Sequence, residues 1–270
     1  MNDLEFYKVI LPFEDNLFEE LSNSIEFEKI TNGRIANHLV RIEKTLVPII
    51  RTTSKYNLPA QKFSKIHNFV ISTINQTVIK NNLKNIPYLQ FNNSLIEIYE
   101  STYSKMNFHS DQSLDLENNS FIGLFSCYEN PEKLTEHNTR KLKIKDKITN
   151  EESELFLTHN SVILFSTETN MKFQHKIVLD IDTKLNIPEL ENRWLGMTFR
   201  TSKTYLEFKN NLPFFENGEQ LKLASEEKEK EFFKLRGEEN KSLNFVYPFL
   251  NYTISYADLL LPKDPIEHIL

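Results

Sequence analysis

The sequence predicts an α+β protein in which an antiparallel β-sandwich or barrel is flanked by helices on its N-terminal and C-terminal sides. Eight short β-rich runs separated by polar turns follow one another between residues 95 and 208, a spacing typical of such sandwiches and barrels. Helical periodicity occurs before and after these runs. Because no repeat or flexible linker divides the chain, we expect a single domain, 1–270. It would comprise an N-terminal helix and strand region 1–94, a core 95–208 and a C-terminal helical extension 209–270.

The N-terminal region contains two helical patterns and one strand pattern. Apolar residues at near-helical spacing predict a short amphipathic helix within residues 14–30, and the β-branched run 34–43 predicts a strand. A second helix is predicted to begin at Pro59, because Asn57 is a suitable N-cap and apolar side chains then recur every three or four residues to Val78. This apolar stripe is interpreted as a packing face.

The core and the C-terminal extension follow. The eight predicted strands share β-branched and aromatic residues bounded by polar turns; they are 95–101, 121–128, 140–148, 154–158, 161–166, 173–180, 193–202 and 204–208. Residues 225–241 carry mixed charges around a few apolar side chains, which predicts an exposed helix with one docking edge. The apolar tail from Val246 is expected to pack on the rest of the protein.

Composition limits the class of protein. Hydrophobic residues make up 39%, charged residues 26% and aromatic residues 12% of the chain, which favours a folded globular protein. No apolar run approaches the length of a membrane span, and the first residues have no basic leader, so neither a span nor a signal peptide is expected. Cys127 is the only cysteine, which excludes an internal disulfide framework. We therefore expect a soluble intracellular protein, cytoplasmic or nuclear.

The absence of several well-known short motifs argues against the kinds of site that they form. The five glycines are isolated from one another, so no glycine-rich dinucleotide or P-loop phosphate motif can be written. The chain also lacks the nucleophile elbow of α/β-hydrolases and the paired-histidine helix motif of zinc proteases.

Charge is distributed unevenly along the chain. The formal net charge is −6, which alone argues against broad binding to a polyanion. Residues 29–92, however, hold ten bases against one acid and carry a net charge of +9, whereas residues 1–28 carry −7. The basic region 29–92 is either a solvated surface balanced by the acidic ends or a surface that contacts nucleic acid.

A second basic feature lies within one predicted strand. Lys141, Lys143, Lys145 and Lys147 alternate along 140–148 and would share one strand face. Such a row is typical of an edge strand protected against aggregation, and the alternative is contact with phosphate groups.

Three residues form a candidate metal site. His109 and Asp111 are two positions apart, so on an extended segment both side chains project from the same face. His175 lies on the predicted strand 173–180. Two histidines and one carboxylate on a β scaffold form the facial triad of non-haem iron(II) oxygenases, which leaves positions open for other ligands. The remaining histidines have no partner at ligand spacing and are interpreted as structural.

Two arginines lie on the predicted strand 193–202. A guanidinium group binds a carboxylate through two parallel hydrogen bonds, which suits the far end of a dicarboxylate cosubstrate. Arg193 and Arg200 are seven residues apart and of opposite parity, so without a β-bulge only one of them points inward.

These residues resemble the AlkB-like branch of the iron(II)/2-oxoglutarate-dependent oxygenases over about residues 95–208. The resemblance rests on the order of His109-Ser-Asp111, the distal His175 and the segment Thr198-Phe-Arg200. It implies a double-stranded β-helix (jelly-roll) core and iron(II) held by the two histidines and Asp111. It also implies 2-oxoglutarate and O₂ as cosubstrates, with an arginine of the last core strand on the distal carboxylate.

The resemblance orders the candidates for 2-oxoglutarate binding. Arg200 is favoured because it lies in the family-like Thr-Phe-Arg, and Arg193 is kept as its partner or substitute. The family has an Asn-x-Tyr nine to eleven residues before the first iron histidine, and Tyr99 lies in that window without the asparagine. Tyr99 is therefore a candidate hydrogen-bond partner of 2-oxoglutarate.

The leading functional hypothesis is an AlkB-like dioxygenase that hydroxylates or demethylates a nucleic-acid base. Its support beyond the resemblance is the basic region 29–92, since AlkB-like enzymes build nucleotide recognition from sequence before the first iron ligand. Alternatives are 2-oxoglutarate-dependent hydroxylation of a protein side chain or small molecule, a metal-free β-barrel binding module, and a metal-dependent hydrolase, which would leave the arginine strand unexplained. The oligomeric state is not predicted.

Overall fold

A large β-sheet forms the centre of the molecule. The computed structural model describes residues 5–104, 106–180 and 191–266. Its helices are α1 (Phe18–Asn23), α2 (Lys65–Lys80), α3 (Thr167–Lys172) and α4 (Glu226–Glu239). Its strands are β1 (Phe6–Ile10), β2 (Glu28–Thr31), β3 (Arg34–Val40), β4 (Leu46–Pro48), β5 (Gln61–Lys62), β6 (Asn93–Tyr99), β7 (Phe121–Tyr128), β8 (Lys141–Asp146), β9 (Glu152–Phe156), β10 (Ser161–Ser166), β11 (Phe173–Val178), β12 (Trp194–Arg200), β13 (Tyr205–Lys209), β14 (Leu212–Phe215), β15 (Lys222–Leu223) and β16 (Tyr252–Thr253).

Two sheets face each other around the centre. The main sheet has the strand order β1-β10-β7-β12-β6-β3-β2, with β5 beside β3, and only the β3–β5 pairing is parallel. The smaller sheet has the antiparallel order β11-β8-β9. The predicted α+β class with a jelly-roll core and flanking helices is confirmed. All eight predicted core strands are present, with bounds that differ from the predicted ones by at most two residues.

The central strands of the main sheet, β6, β7 and β12, are buried on both faces. Leu195 and Phe199 of β12 share a core cluster with the apolar stripe of α2. Trp194, of opposite parity, belongs to a second cluster with Leu142 of β8 and Ile177 of β11, so this cluster fills the space between the two sheets. Full burial of an apolar side chain such as leucine or isoleucine stabilises the folded state by about 2 kcal/mol relative to leaving it exposed. Because successive side chains of β12 point to opposite faces, one face of the strand packs against the helices and the other faces the interior between the sheets.

The N-terminal helices are shorter than predicted. The predicted helix 14–30 is helical only at Phe18–Asn23, because β2 begins at Glu28 and pairs with β3. The second helix begins at Lys65 instead of Pro59. Its cap is Ser64, whose backbone N–H donates to His67 Nδ1 at 2.9 Å, and the preceding Gln61–Lys62 pair with β3. In both places, hydrogen bonding to a sheet overrides the local helical pattern.

Three lysines of the row, Lys141, Lys143 and Lys145, lie on the middle strand of the smaller sheet, and Lys147 follows that strand. Since β8 lies between β11 and β9, the edge-strand interpretation of this row is wrong. Lys141 and Lys143 form ion pairs with Asp180, and Lys141 also pairs with Glu154. Within the described ranges, no helix combines the length and the apolar character needed to cross a membrane.

We predict that Gly196→Ala destabilises the fold. The ring of Trp194 covers Gly196, and a Cβ at this position would come within 2.0 Å of the ring. Because the ring is fully buried, it has no free space to move into, and we expect the free energy of unfolding to fall by about 2 kcal/mol in urea denaturation. Gly237→Ala is the control, since a Cβ there meets no atom within 4 Å and α4 gains helix propensity. An unchanged urea midpoint for Gly196→Ala would contradict the packing described here.

Candidate metal centre

The two candidate histidines are held side by side by a backbone bridge. The His109 N–H donates to the His175 carbonyl at 3.0 Å, and the His175 N–H donates to the His109 carbonyl at 2.7 Å. Residues paired in this antiparallel way project their side chains from the same face. The two imidazole rings accordingly lie with centroids 4.8 Å apart.

Asp111 is fixed through both its backbone and its side chain. Its N–H donates to Asn170 Oδ1 and its carbonyl accepts from Asn170 Nδ2, each at 2.7 Å, which ties it to α3. Arg200 Nε donates to Asp111 Oδ2 at 2.7 Å, whereas Asp111 Oδ1 lies 3.4 Å from His175 Nε2. The ion pair with Arg200 thus turns one carboxylate oxygen toward β12 and leaves the other facing the histidines.

The three side chains present one ligand set. Ligand atoms of His109, Asp111 and His175 all lie within 4.8 Å of one another. His109 Nδ1 lies 3.0 Å from the Asn107 carbonyl, and a carbonyl only accepts, so Nδ1 carries the proton and Nε2 is free to bind a metal.

The protonation states of the ligand residues suit the binding of a cation. Desolvation and the neighbouring His175 lower the pKa of His109 to about 3, so this imidazole is neutral at pH 7. Burial alone would raise the pKa of Asp111, but the Arg200 guanidinium and His175 outweigh it and hold the pKa well below its usual range. A neutral imidazole and an ionised carboxylate are the forms that bind metals. These residues therefore fit a divalent transition metal.

A cavity adjoins the triad between the two sheets. It has a volume of about 90 Å³ and opens toward a larger surface pocket of about 450 Å³, and His109, Asp111 and Arg200 line both. Apolar side chains of both sheets form much of the cavity wall; they are Leu95, Met106, Leu124, Leu142, Phe165 and Ile177.

One hydrogen-bond donor of Arg200 has no acceptor among the described residues. Its side chain is 9% exposed, and Nη1 is buried and has no hydrogen-bond partner among the described residues. A buried guanidinium N–H without an acceptor is costly. Since Arg200 lines the cavity, an acceptor such as a carboxylate oxygen of 2-oxoglutarate fits this position.

The second predicted arginine lies elsewhere. β12 pairs with β6 in continuous register without a bulge, so Arg193 and Arg200 point to opposite faces. Arg193 forms a largely exposed ion pair with Glu129 and covers the ring of Phe18 in α1, on the helical side of the sheet. The expectation that Arg193 assists or replaces Arg200 in the site is therefore corrected.

Tyr99 is inside the protein but is not part of the cavity wall. Its ring packs against Tyr103 and Trp194, and its hydroxyl donates to Glu97 Oε2 at 3.0 Å. Glu97 does line the cavity and pairs with Arg34 at 2.5 Å. The structure thus places a largely buried Arg34–Glu97 pair beside the triad, and the Tyr99 hydroxyl contacts the cavity wall through Glu97.

Sequence reasoning missed several site residues. The sequence marks Arg34 only as part of the basic region and Glu97 only as part of a predicted strand. It does not mark Asn170 or Arg236, although Asn170 holds Asp111 and Arg236 lines the surface pocket. The alternation of β6 places Glu97 on the same face as Tyr99, so parity could have identified Glu97. For Asn170 the sequence contains no comparable signal.

The comparisons with known proteins found similar solved structures, but no matching family model and no matching curated sequence. One similar solved structure is titled "The structure of OsALKBH1"; it has a TM-score of 0.48 and 15% identity, and the match covers 74% of this chain and 98% of that one. Another is a Pseudomonas putida prolyl-4-hydroxylase, with a TM-score of 0.42, 11% identity, and coverage of 73% and 92% respectively.

We predict that the triad binds one divalent metal ion per chain. In titrations with Co²⁺ followed by absorbance and calorimetry, His109→Ala and His175→Ala should weaken binding by at least about 100-fold, since each removes one of three ligands. His137→Ala is the matched control, because His137 is exposed and is not a member of the triad. Equal Co²⁺ affinity in His109→Ala and His137→Ala would contradict the assignment of the ligands.

Proposed function

We propose that the protein is an iron(II)- and 2-oxoglutarate-dependent dioxygenase. The observation that carries the proposal is the arrangement of His109, Asp111 and His175 around one point, with the incompletely bonded Arg200 in the adjoining cavity wall. Two imidazoles and one carboxylate are the ligands typical of non-haem iron(II) oxygenases, and three protein ligands leave positions for a cosubstrate.

Each group of the site has a task in this reaction. His109, Asp111 and His175 would hold iron(II), and Arg200 would orient the Asp111 carboxylate while offering Nη1 to a carboxylate of 2-oxoglutarate. When bound, iron(II) with 2-oxoglutarate and O₂ would supply the oxidation of a substrate C–H bond, with succinate and CO₂ as coproducts. Apolar walls such as Leu124 restrict water in the cavity, which strengthens the electrostatic contacts there.

We further propose an AlkB-like substrate, a base of single-stranded or flipped nucleic acid. The surface pocket takes part of its lining from the basic region 29–92, namely Arg34, Thr52, Thr53, Ser54 and Tyr56. The partly exposed Tyr103, which also lines the pocket, provides aromatic surface on which a base could stack, whereas Tyr56 is buried. These contributions agree with substrate recognition by sequence that precedes the first metal ligand.

A basic and aromatic surface next to His109 supports the same substrate class. Phe108 lies between two lysines of the smaller sheet, with Lys176 Nζ at 4.1 Å and Lys145 Nζ at 5.8 Å from its ring centroid. Neither lysine forms an ion pair with a described residue. Phe108 is partly exposed, and cationic groups beside a partly exposed ring are suited to phosphate and base contacts of a single strand.

The basic region itself is less available than its net charge indicates. Four of its ten bases are ion-paired: Arg34 with Glu97, Arg51 with Asp115, Lys55 with Glu229 and Lys62 with Asp264. Support for nucleic acid therefore depends on the pocket lining and on the surface around Phe108 more than on the total charge of 29–92.

The second candidate is hydroxylation of a protein side chain or small molecule by the same site. The largely buried Arg34–Glu97 pair favours it, because a carboxylate and a guanidinium in the cavity wall can bind a compact substrate that carries both charges. Succinate formation measured with oligonucleotides, peptides and metabolite pools in parallel separates the two candidates.

We predict a visible charge-transfer band when iron(II) and 2-oxoglutarate are added to the protein under anaerobic conditions. His109→Ala should abolish the band. Arg200→Ala should require at least about tenfold more 2-oxoglutarate to reach half intensity, since it removes a charge-assisted hydrogen bond worth roughly 1.5–3 kcal/mol. Arg193→Ala is the matched control and should behave like the wild type. Absence of the band in folded wild-type protein would leave the metal-free binding module as the better description.

We predict salt-sensitive binding of single-stranded oligonucleotides through the surface around Phe108. In fluorescence anisotropy, Lys145→Ala combined with Lys176→Ala should weaken binding and reduce the slope of log K against log salt by about 1.5, the value expected when two phosphate contacts to a single strand are lost. The control is Lys209→Ala combined with Lys222→Ala, which removes the same number of positive charges at positions away from Phe108. If the wild type binds no DNA or RNA at low salt, the nucleic-acid substrate is excluded.

A further inference from the structure

The last turn of the C-terminal helix α4 contacts the segment that carries two of the proposed metal ligands. Most of α4 is exposed, but Phe232, Arg236 and Glu239 are buried. Phe232 anchors the helix in an apolar cluster that also contains Leu114, three residues beyond Asp111. The helix is therefore packed directly against the ligand segment.

Ser110, the residue between His109 and Asp111, has both backbone groups bound by α4 and its C-terminal cap. Its N–H donates to Asn240 Oδ1 at 3.0 Å, and its carbonyl accepts from Arg236 Nη2. The Ser110 side chain adds a hydrogen bond to the Phe173 carbonyl of β11 at 2.9 Å. The two hydrogen bonds of the backbone hold the peptide units on both sides of Ser110, so a rotation of either unit that redirects a flanking ligand would break one of them.

Glu239 connects the same turn to the residues that follow Asp111. Its Oε1 accepts from the Ser113 N–H at 2.7 Å and from Ser113 Oγ at 2.6 Å. Its Oε2 accepts from Arg236 Nη1 at 2.6 Å and from Tyr247 Oη at 2.7 Å. Because the carboxylate is buried and fully engaged, these are the stronger, charge-assisted kind of hydrogen bond.

The third ligand is linked to the same turn. Gln174, next to His175, donates through Nε2 to the Asn240 carbonyl at 2.9 Å. Lys147, just after β8, donates through Nζ to the Ser242 carbonyl at 3.1 Å. The end of α4 thus contacts both chain segments that carry the triad.

We propose that Arg236, Glu239 and Asn240 are positioning residues that set the geometry of the metal ligands, so that metal affinity depends on the C-terminal helix. This inference rests on the proposed metal site. Outer-shell hydrogen bonds that orient ligands typically change metal affinity by about 10–100-fold when removed. Here the bonds act on the ligand-bearing backbone, and a ligand set that is not preorganised must be ordered at the moment of binding.

The test measures Co²⁺ affinity by calorimetry and the thermal unfolding of the metal-free protein, both on the full chain. Asn240→Ala and Glu239→Gln should weaken Co²⁺ binding about 10–100-fold. Asn240→Asp keeps an oxygen acceptor for the Ser110 N–H and should restore most of the affinity. Asn244→Ala and Glu238→Gln make the same chemical changes at exposed positions nearby and should match the wild type.

The outcomes separate positioning from simple stabilisation. If Asn240→Ala and Glu239→Gln lower the unfolding temperature but bind Co²⁺ as the wild type does, α4 only stabilises the fold and the inference is overturned. If Asn240→Ala does not fold, Glu239→Gln and Asn240→Asp decide the question in the same way. Equal Co²⁺ binding by the wild type and His109→Ala would overturn the proposed metal site itself, and the inference with it.

Discussion

Strand β12 packs with one face against the helical core and with the other against the space between the two sheets, and the rest of the structure depends on this constraint. It lies between β7 and β6 in the main sheet, and both of its faces are buried. The two-residue period of a strand sends Leu195, Met197 and Phe199 toward α2, and it sends Trp194 and Arg200 toward the smaller sheet. A one-residue shift of register would exchange these sets and put a guanidinium into the helical core. The position of Arg200 beside Asp111 thus follows from the same register that forms the hydrophobic core.

The interior between the sheets contains charged side chains, and the stability of the fold there depends on their pairing. Between the sheets, the largely buried Arg34 guanidinium pairs with the buried Glu97 carboxylate. Beside the site, the buried Arg236 of α4 pairs with the buried Glu239. Asp111 pairs with Arg200 next to the histidines. Breaking a buried pair by removal of one partner typically costs about 3–5 kcal/mol. The Arg34–Glu97 and Asp111–Arg200 pairs each link elements distant in sequence, so these charges fix the walls of the site relative to one another. The Arg236–Glu239 pair lies within α4.

Much of the fold could be predicted from the sequence because the core strands carry clear local signals. Alternating apolar residues between polar turns located all eight core strands, and the spacing of His109, Asp111 and His175 selected three side chains that the fold brings together. Parity also showed that Arg193 and Arg200 could not share a face without a bulge. These inferences depend on residues that are close in sequence or belong to one strand.

The remaining features depend on contacts that local patterns do not encode. The helix predicted for 14–30 was interrupted because β2 hydrogen-bonds to β3, and no residue within 14–30 specifies that partner. Asn170 and Asn240 reach Asp111 and Ser110 across 59 and 130 residues of chain, and neither asparagine lies in a pattern typical of a site. Sequence reasoning therefore identified the candidate ligands, whereas the groups that orient them required the structure.

The packing of Trp194 has a practical consequence. It is the only tryptophan of the chain, and it is fully buried on the face of β12 that looks toward the smaller sheet. Its ring contacts Tyr99, whose hydroxyl binds Glu97 in the cavity wall. When tryptophan is excited selectively over the ten tyrosines, the fluorescence of the protein therefore originates at a single point in the jelly-roll interior. The emission is a built-in optical reporter of the space between the sheets, readable without a dye or an introduced label.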